Sequence, residues 1–208
     1  MIVYNGLEIP ENLGEMMDLR YTCLAVWDVQ KGLTGRIFNP DEFKGRLRVL
    51  VEGLRGKLPV VYTLITPPPR EFQSSWALFA AMRRFKAKDP SQIPVFMAPG
   101  SPEREVAPEV KPHPGDMLLE KPATSIFVGT NFEALMRARG IRTILFTGIA
   151  TEIGVEHSAR DAAARGFYPV VITDCVSSAD KEAHERSLAN MGKMFVTAES
   201  GEILKLIH

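Results

Sequence analysis

The sequence predicts an α/β fold with three layers, α/β/α, built around a mostly parallel central sheet. Several apolar runs, such as residues 143–147, lack the polar alternation of a half-exposed strand, which is typical of strands buried on both faces. These runs alternate along the chain with segments whose apolar residues recur at helical spacing. The 208 residues are enough for one sizeable core and short for two, so we expect a single domain over residues 1–208.

The first buried strand is expected over residues 23–28, a continuous apolar run that ends in a carboxylate. A helix should follow from Asn39, because Asn suits the N-cap, Pro40 suits the first turn and Glu42 stands at the capping-box position. Its apolar stripe consists of Leu47, Leu50, Val51 and Leu54.

The second strand is expected over residues 59–65, and it must end before Pro67, since proline cannot continue a central strand. A helix over residues 72–85 follows, and the residues expected to face inward are Trp76, Phe79, Ala80 and Met82. Residues 89–115 are rich in Pro and Gly, and we expect them to form a long ordered excursion over the sheet. Loops of this length in compact domains are often functional.

The remaining elements continue the alternation of strands and helices. Asn131 is expected to cap a helix that runs to Arg139, and Gly140 is placed to be its left-handed terminal residue. The other predicted elements are strands over 117–120, 143–147, 168–174 and 194–197, helices from the elbow to about 165 and over 180–191, and a short helix from Ser200.

Composition and charge favour neither nucleic acid nor a membrane as a partner. Lys plus Arg equals Asp plus Glu, which gives no support for nucleic acid or an anionic membrane and mildly favours self-association. No apolar run is long enough for a membrane span, and the N-terminus has no basic-then-apolar signal pattern, so we expect a cytoplasmic protein. Cys23 and Cys175 both lie in apolar runs and are expected to be buried free thiols.

Three segments carry residues suited to chemistry, each at a predicted strand end. VWDVQKG (26–32) places Asp28 after the first strand, and EKPATSIF (120–127) places Lys121 after the third. TGIATEIGVEHSARDA (147–162) is a strand-loop-helix elbow that contains Gly154. Because the carboxyl ends of parallel strands border one crevice, we expect these segments to converge.

In that order, these segments resemble the isochorismatase-like hydrolase superfamily over roughly residues 20–198. The resemblance implies a sheet order of 3-2-1-4-5-6 and a dimer or higher homo-oligomer. It also implies that Asp28 is the catalytic carboxylate and Lys121 the active-site lysine. In the amidohydrolase members a nucleophilic Cys stands at the position of Gly154, whereas the vinyl-ether hydrolases of the superfamily commonly have Gly there.

The same resemblance implies a cis peptide at Ile149–Ala150, which would aim backbone N–H groups of the loop Ile149–Thr151 at a substrate oxygen. Gln30 and Ser125 join this loop as substrate-binding candidates. Glu152 is a weaker catalytic candidate, since it also suits the positive end of the helix dipole.

Structural roles for the same residues stay open. Asp28 could order a loop or cap a helix, and Lys121 could be a solvated loop lysine. Cys175 follows Asp174 near the crevice, but packing is the expected role of its thiol. Residues 66–70 have none of the histidines that nicotinamidases carry there, and the four histidines of the chain show no ligand spacing. We therefore predict no metal and no cofactor.

Without a thiol at position 154, three functional hypotheses remain. The first is acid-catalysed vinyl-ether hydrolysis of a small carboxylate-bearing metabolite, with Asp28 as the acid and Gly154 leaving room for substrate or water. The second is a non-catalytic member that binds a small molecule. The third is hydrolysis of an amide or ester by water that Asp28 activates. An open pocket beside Asp28 and Lys121 would favour catalysis, and a filled one would favour the non-catalytic hypothesis.

Overall fold

The computed structural model describes residues 1–207. An exposed antiparallel hairpin, β1 (Ile2–Tyr4) and β2 (Leu7–Ile9), precedes the main sheet and was not predicted from the sequence. The six strands of the main sheet are β3 (Thr22–Trp27), β4 (Val60–Ile65), β5 (Met117–Lys121), β6 (Thr143–Ile149), β7 (Tyr168–Ser177) and β8 (Val196–Ala198).

The sheet is parallel throughout, with the spatial order β5-β4-β3-β6-β7-β8. Counted along the chain, these strands have the order 3-2-1-4-5-6, so the predicted fold class and sheet order are confirmed. The helices are α1 (Leu13–Met16), α2 (Lys31–Thr34), α3 (Pro40–Leu54), α4 (Ser75–Phe85), α5 (Phe132–Ala138), α6 (Glu156–Ala164), α7 (Lys181–Met191) and α8 (Ser200–Lys205).

Alternate residues of β3 enter two hydrophobic cores on opposite faces of the sheet. Leu24 and Val26 belong to the core that α3 and α8 cover. Ala25 and Trp27 belong to the core on the other face, which α5, α6 and α7 cover. Because side chains alternate along a strand, β3 must be apolar throughout, and Trp27 must point toward the face that carries α6.

The two predicted N-cap positions, Asn39 and Asn131, are confirmed, but neither side chain makes the capping bond. Asn39 occupies the N-cap position of α3, but its side-chain oxygen accepts from the Ser177 hydroxyl and bonds to no helix N–H. Asn131 makes no capping bond to α5, and the Thr130 hydroxyl accepts from the Phe132 N–H in its place. In the first case the competing hydroxyl lies far along the chain, and in the second it belongs to the residue directly before Asn131.

Helix α4 is the largest departure from expectation. Trp76 and Phe79 were predicted to face inward, yet they are 71% and 50% exposed, and no residue of α4 is buried. The helix also begins later than expected, at Ser75, where the Ser74 hydroxyl accepts from the Ala77 N–H. Apolar spacing identifies a face of a helix but not whether another element covers it, and α4 lies beside the excursion, away from both cores.

Other expectations are confirmed. Cys23 and Cys175 are free and buried, and Gly140 has a φ of 69° after α5. The excursion that follows α4 returns along the end of β3, where the Ala107 N–H donates to the Val29 carbonyl at 2.8 Å. It is therefore an ordered cover over the carboxyl edge of the sheet. Among the described residues, no helix combines the length and apolar character that crossing a membrane requires.

Candidate functional site

Asp28 and Lys121 form a buried ion pair at the carboxyl edge of the sheet. Asp28 follows β3, Lys121 ends β5, and the two residues meet across β4. Lys121 Nζ lies 2.7 Å from Asp28 Oδ2 and also donates to the Ala123 carbonyl at 3.1 Å. The Thr63 hydroxyl of β4 donates to Asp28 Oδ1 at 2.7 Å. The two residues that the motifs single out are thus in direct contact.

Burial governs the charges of this pair. Asp28 is 5% exposed and Lys121 is 1% exposed. Burial raises the pKa of Asp28, and the Lys121 ammonium and the Thr63 hydroxyl oppose that rise. Burial also lowers the pKa of Lys121, and the Asp28 carboxylate opposes that fall. Each charge therefore depends on the other, and removal of one partner would leave a buried charge without compensation.

The indole of Trp27 fills the space between this pair and the elbow. Lys121 Nζ lies 4.0 Å from the centroid of the Trp27 ring, a cation–π distance. On the other side, a Cβ atom built on Gly154 would lie 2.1 Å from Trp27 Nε1 and 2.4 Å from Cε2. Trp27 is itself only 1% exposed. Gly154 therefore does not border an empty space, because the indole occupies the volume where a side chain would stand.

The elbow has the predicted backbone geometry, with a cis peptide at Ile149–Ala150. Residues Thr151–Val155 form one wide helical turn that leads into α6. Within it the Ala150 carbonyl accepts from the N–H groups of Gly154, at 3.0 Å, and Val155, at 3.2 Å. These two N–H groups are used inside the turn and are not free donors for an oxyanion hole, and the role of the N–H groups of the loop Ile149–Thr151 stays a prediction.

Polar side chains on the outer side of the elbow bond to α7 and to the end of β7. The Thr151 hydroxyl shares a hydrogen bond of 2.7 Å with His184 Nδ1, and both residues are buried. Glu152 accepts from the Ser178 hydroxyl at 2.8 Å through one carboxylate oxygen, while its other oxygen has no partner among residues 1–207. Thr151 and Glu152 thus fasten the elbow to its neighbours and do not reach the Asp28–Lys121 pair through any of these bonds.

Gln30 and Ser125 are fully buried and bond within the protein. Gln30 Oε1 accepts from the Ile65 N–H at 2.9 Å, and Nε2 donates to the Arg104 carbonyl at 2.9 Å. The Ser125 hydroxyl donates to the Asp161 carboxylate of α6. Gln30 therefore joins the excursion to the sheet, and Ser125 joins the loop after β5 to α6. Contact of either residue with a substrate stays a prediction.

Two residues of the site were missed in the sequence. Trp27 stands beside Asp28 in the first motif, and the alternation of β3 points its indole toward the elbow. Thr63 is the register partner of Trp27 across β3 and β4, which no local pattern reveals. Within the described part of the chain, no group of three or more His, Cys, Asp or Glu side chains is arranged to hold a metal ion.

Comparison with known sequences establishes the family. The sequence model of the isochorismatase domain matches residues 22–202. The chain belongs to the isochorismatase family. The three motifs and the buried Asp28–Lys121 pair all lie inside the matched range. This isochorismatase-family protein is thus a member of a hydrolase family.

Curated relatives are amidohydrolases by name. The ureidoacrylate amidohydrolase RutB of Methylobacterium radiotolerans is 33% identical over 122 residues, which are 58% of this chain and 47% of the relative. RutB of Methylorubrum extorquens is 34% identical over 122 residues, which are 58% of this chain and 49% of the relative. The matched segment therefore spans about half the length of the curated relatives.

Solved structures show the same fold. A cysteine hydrolase from Pseudomonas syringae pv. phaseolicola has a TM-score of 0.78 at 20% identity, over 92% of this chain and 94% of that one. N-carbamoylsarcosine amidase from Thermoplasma acidophilum has a TM-score of 0.64 at 27% identity, over 86% of this chain and 96% of that one. The α/β architecture is therefore the one that hydrolases of this family use.

Proposed function

We propose that this isochorismatase-family protein binds a small molecule and does not hydrolyse amides through a thiol at its elbow. One observation carries the proposal. The Trp27 indole occupies the volume where a side chain of residue 154 would stand, so the central site is filled and not merely short of one sulfur atom. A filled site is the outcome that favours the non-catalytic hypothesis.

The chain has no accessible thiol to replace the expected nucleophile. By the resemblance of the elbow, the amidohydrolase cysteine belongs at position 154, where this chain has glycine. Cys23 and Cys175 are both buried, and burial raises the pKa of each thiol. Because the thiolate is the nucleophile, neither cysteine is suited to attack a substrate.

The Asp28–Lys121 pair is closed to substrate in this conformation. Both oxygens of Asp28 accept protein hydrogen bonds, from Lys121 and from Thr63. A general acid or base must come within hydrogen-bond reach of the atom that receives or loses the proton. Because Asp28 and Lys121 are both buried, little of their surface is open to such an approach, which also argues against water activated by Asp28.

A second candidate function is acid-catalysed hydrolysis of a vinyl ether. It is favoured by the raised pKa of Asp28, since burial favours the protonated carboxyl that this reaction needs. Asp28 would give its proton to the methylene carbon of an enolpyruvyl ether, and water would add to the resulting oxocarbenium carbon. The hemiketal would then collapse to pyruvate and an alcohol. This route requires the Trp27 indole to move away first.

The test measures pyruvate release from isochorismate and chorismate, and product release from ureidoacrylate. It uses the wild-type protein, Asp28→Asn and Trp27→Val. We expect no release from any substrate with the wild-type protein. Release of pyruvate that disappears in Asp28→Asn would establish the second candidate and overturn the first. Hydrolysis of ureidoacrylate that survives in Asp28→Asn would contradict both candidates.

A further inference from the structure

A second cavity lies beside the central site, between α4, the loop after β4 and the middle of the excursion. Its volume is about 610 Å³, and its walls include Ile65, Phe85 and Phe96 together with several prolines. Small-molecule sites of proteins commonly have volumes of roughly 300–1,000 Å³ and mostly apolar walls with a few polar groups. This cavity, here named the arginine cleft, therefore has the size and character of a ligand site.

The charged side chains that line the arginine cleft are all arginines. They are Arg36, Arg70 and Arg84, and no Asp or Glu lines the cavity. The chain as a whole has a net charge of zero, so this is a local separation of charge. A cavity whose charged lining groups are all positive raises the local concentration of anions.

The three arginines lack a carboxylate counter-ion but differ in their hydrogen bonds. Within residues 1–207, none of the three makes an ion pair with a carboxylate. Arg70 differs, because its guanidinium donates to the carbonyls of Pro90 and Ile93. Arg70 thus holds the excursion in place as one wall, and Arg36 and Arg84 keep N–H donors for a ligand.

The aromatic walls suit a flat ligand. The Arg36 guanidinium lies 5.5 Å from the centroid of Phe96, and the Arg84 guanidinium lies 5.9 Å from that of Phe85. Each ring therefore stands beside one of the two unpaired arginines. An aromatic or otherwise flat body can pack against such rings while its carboxylate accepts two parallel hydrogen bonds from a guanidinium.

The arginine cleft is separate from the central site. Asp28, Lys121 and Gly154 do not line it. Ile65 is the wall residue next to the ion pair, because it is the register partner of Lys121, and its N–H is bonded to the buried side chain of Gln30. A ligand in the cleft would therefore contact the excursion and not the Asp28–Lys121 pair.

Another large cavity, of about 710 Å³, lies under the β1–β2 hairpin at the opposite edge of the sheet. Its charges already have partners, because Arg20 pairs with Asp18 and Arg142 pairs with Glu8. A cavity with paired charges offers an anion less than one whose guanidinium groups are free. The arginine cleft is thus the better ligand site of the two.

We propose that the arginine cleft binds a small organic carboxylate with a flat apolar body, recognised by Arg36 and Arg84 between the rings of Phe96 and Phe85. This inference rests on the proposed function, since it names the site and the ligand class of the small molecule. It does not require chemistry at Asp28, so each of the two proposals can fail without the other.

The test is isothermal titration of the full chain with cinnamate, with cinnamamide as the neutral ligand of similar shape. Inorganic phosphate serves as an anion without an apolar body. The variants are Arg84→Gln and Arg36→Gln, and the matched control is Arg83→Gln. Arg83 is the preceding residue of α4, carries the same charge and does not line the cleft. Circular dichroism of each variant confirms that the helix content is unchanged.

We expect cinnamate to bind the wild-type protein more tightly than cinnamamide or phosphate. Arg84→Gln and Arg36→Gln should each weaken cinnamate roughly 10-fold, because a hydrogen bond to a charged group is lost. Arg83→Gln should leave the affinity within about 2-fold, since Arg83 is exposed and does not line the cleft. Equal effects of Arg83→Gln and Arg84→Gln would overturn the proposal, as would cinnamate binding no better than cinnamamide or phosphate.

The binding test and the hydrolysis test can fail independently of each other. Release of pyruvate by the wild-type protein would overturn the proposed function, while binding that depends on Arg84 would still place a carboxylate site in the cleft. Conversely, absence of cinnamate binding would overturn the carboxylate site in the cleft, and it would not affect the proposal that the Trp27 indole fills the central site.

Discussion

The central site and the arginine cleft each place a cation beside an aromatic ring, but they differ in counter-ion and access. Lys121 lies 4.0 Å from the Trp27 ring with the Asp28 carboxylate at 2.7 Å, and all three side chains are buried. Arg36 lies 5.5 Å from the Phe96 ring, is exposed, and borders an open cavity.

The difference teaches that a charged group beside an aromatic ring is not by itself a binding site. In the central site the charge is already neutralised and the volume is taken by the indole, so the pair holds the fold together. In the cleft, the charges lack carboxylate partners and face free volume, so a ligand can supply what is missing. Family motifs identify the first region, whereas only the packing of the chain identifies the second.

The largest effect is expected from breaking the ion pair itself. Lys121→Met should lower the free energy of unfolding by about 3–5 kcal/mol, because it leaves Asp28 buried without its partner. Urea unfolding measures the loss. The control is Lys31→Met, which removes an exposed pair with Glu105 and should cost less than about 1 kcal/mol. Equal losses in the two variants would mean that the central pair is not closed in solution.

A smaller effect is expected from adding one methyl group at the elbow. Gly154→Ala should lower the free energy of unfolding by about 1–3 kcal/mol, because its Cβ would overlap the Trp27 indole. Repeating the substitution in a Trp27→Val background should remove most of that cost, which a double-mutant cycle measures.

The matched control for that substitution is Gly45→Ala in α3. A Cβ there meets no atom within 4 Å, so the higher helix propensity of alanine should stabilise the protein by up to about 1 kcal/mol. A similar gain at position 154 would show that the space beside Trp27 is empty, and it would erase the contrast between the filled site and the open cleft.

His184, which bonds to Thr151 of the elbow, should make the free energy of unfolding depend on pH. Burial lowers the pKa of His184, and Glu152 and Glu185 oppose that fall. The folded protein therefore favours the neutral ring, and this stability is fully present above the ordinary pKa of 6.5 and is lost as pH falls through the folded value.

The free energy of unfolding should decrease below pH 6.5, with a slope of at most about 1.4 kcal/mol per pH unit from this one group. His184→Gln should flatten that part of the profile, whereas His157→Gln, at an exposed position on α6, should leave it in place. An unchanged slope in His184→Gln would assign the pH dependence to other groups.

The smallest effect is expected at the second tryptophan. Trp76→Ser on α4 should change the free energy of unfolding by less than about 0.5 kcal/mol, because the ring is 71% exposed. The same thermal or urea measurement on Trp27→Val should show a far larger loss. A substantial loss in Trp76→Ser would indicate that a second copy of the chain covers this face, which sedimentation velocity would reveal.

The sequence predicted the parts of the molecule that depend on pattern along the chain. Unalternated apolar runs predicted the parallel sheet, and the position of Asp28 and Lys121 at strand ends predicted their approach. What could not be predicted depends on which group faces which in space. The exposure of Trp76, the bonds of Gln30 and the fit of Trp27 against Gly154 are of this kind.

The contact between Trp27 and Gly154 also constrains the order in which substitutions can occur. A cysteine introduced at position 154 must displace an indole whose nearest atom lies 2.1 Å from the new Cβ, so that single change is penalised before any thiol can react. A smaller residue at position 27 would relieve that overlap, although it would leave a cavity and give no catalytic benefit by itself. A thiol at position 154 without this overlap therefore depends on two coordinated substitutions, and selection on activity alone offers no reward for the first of them.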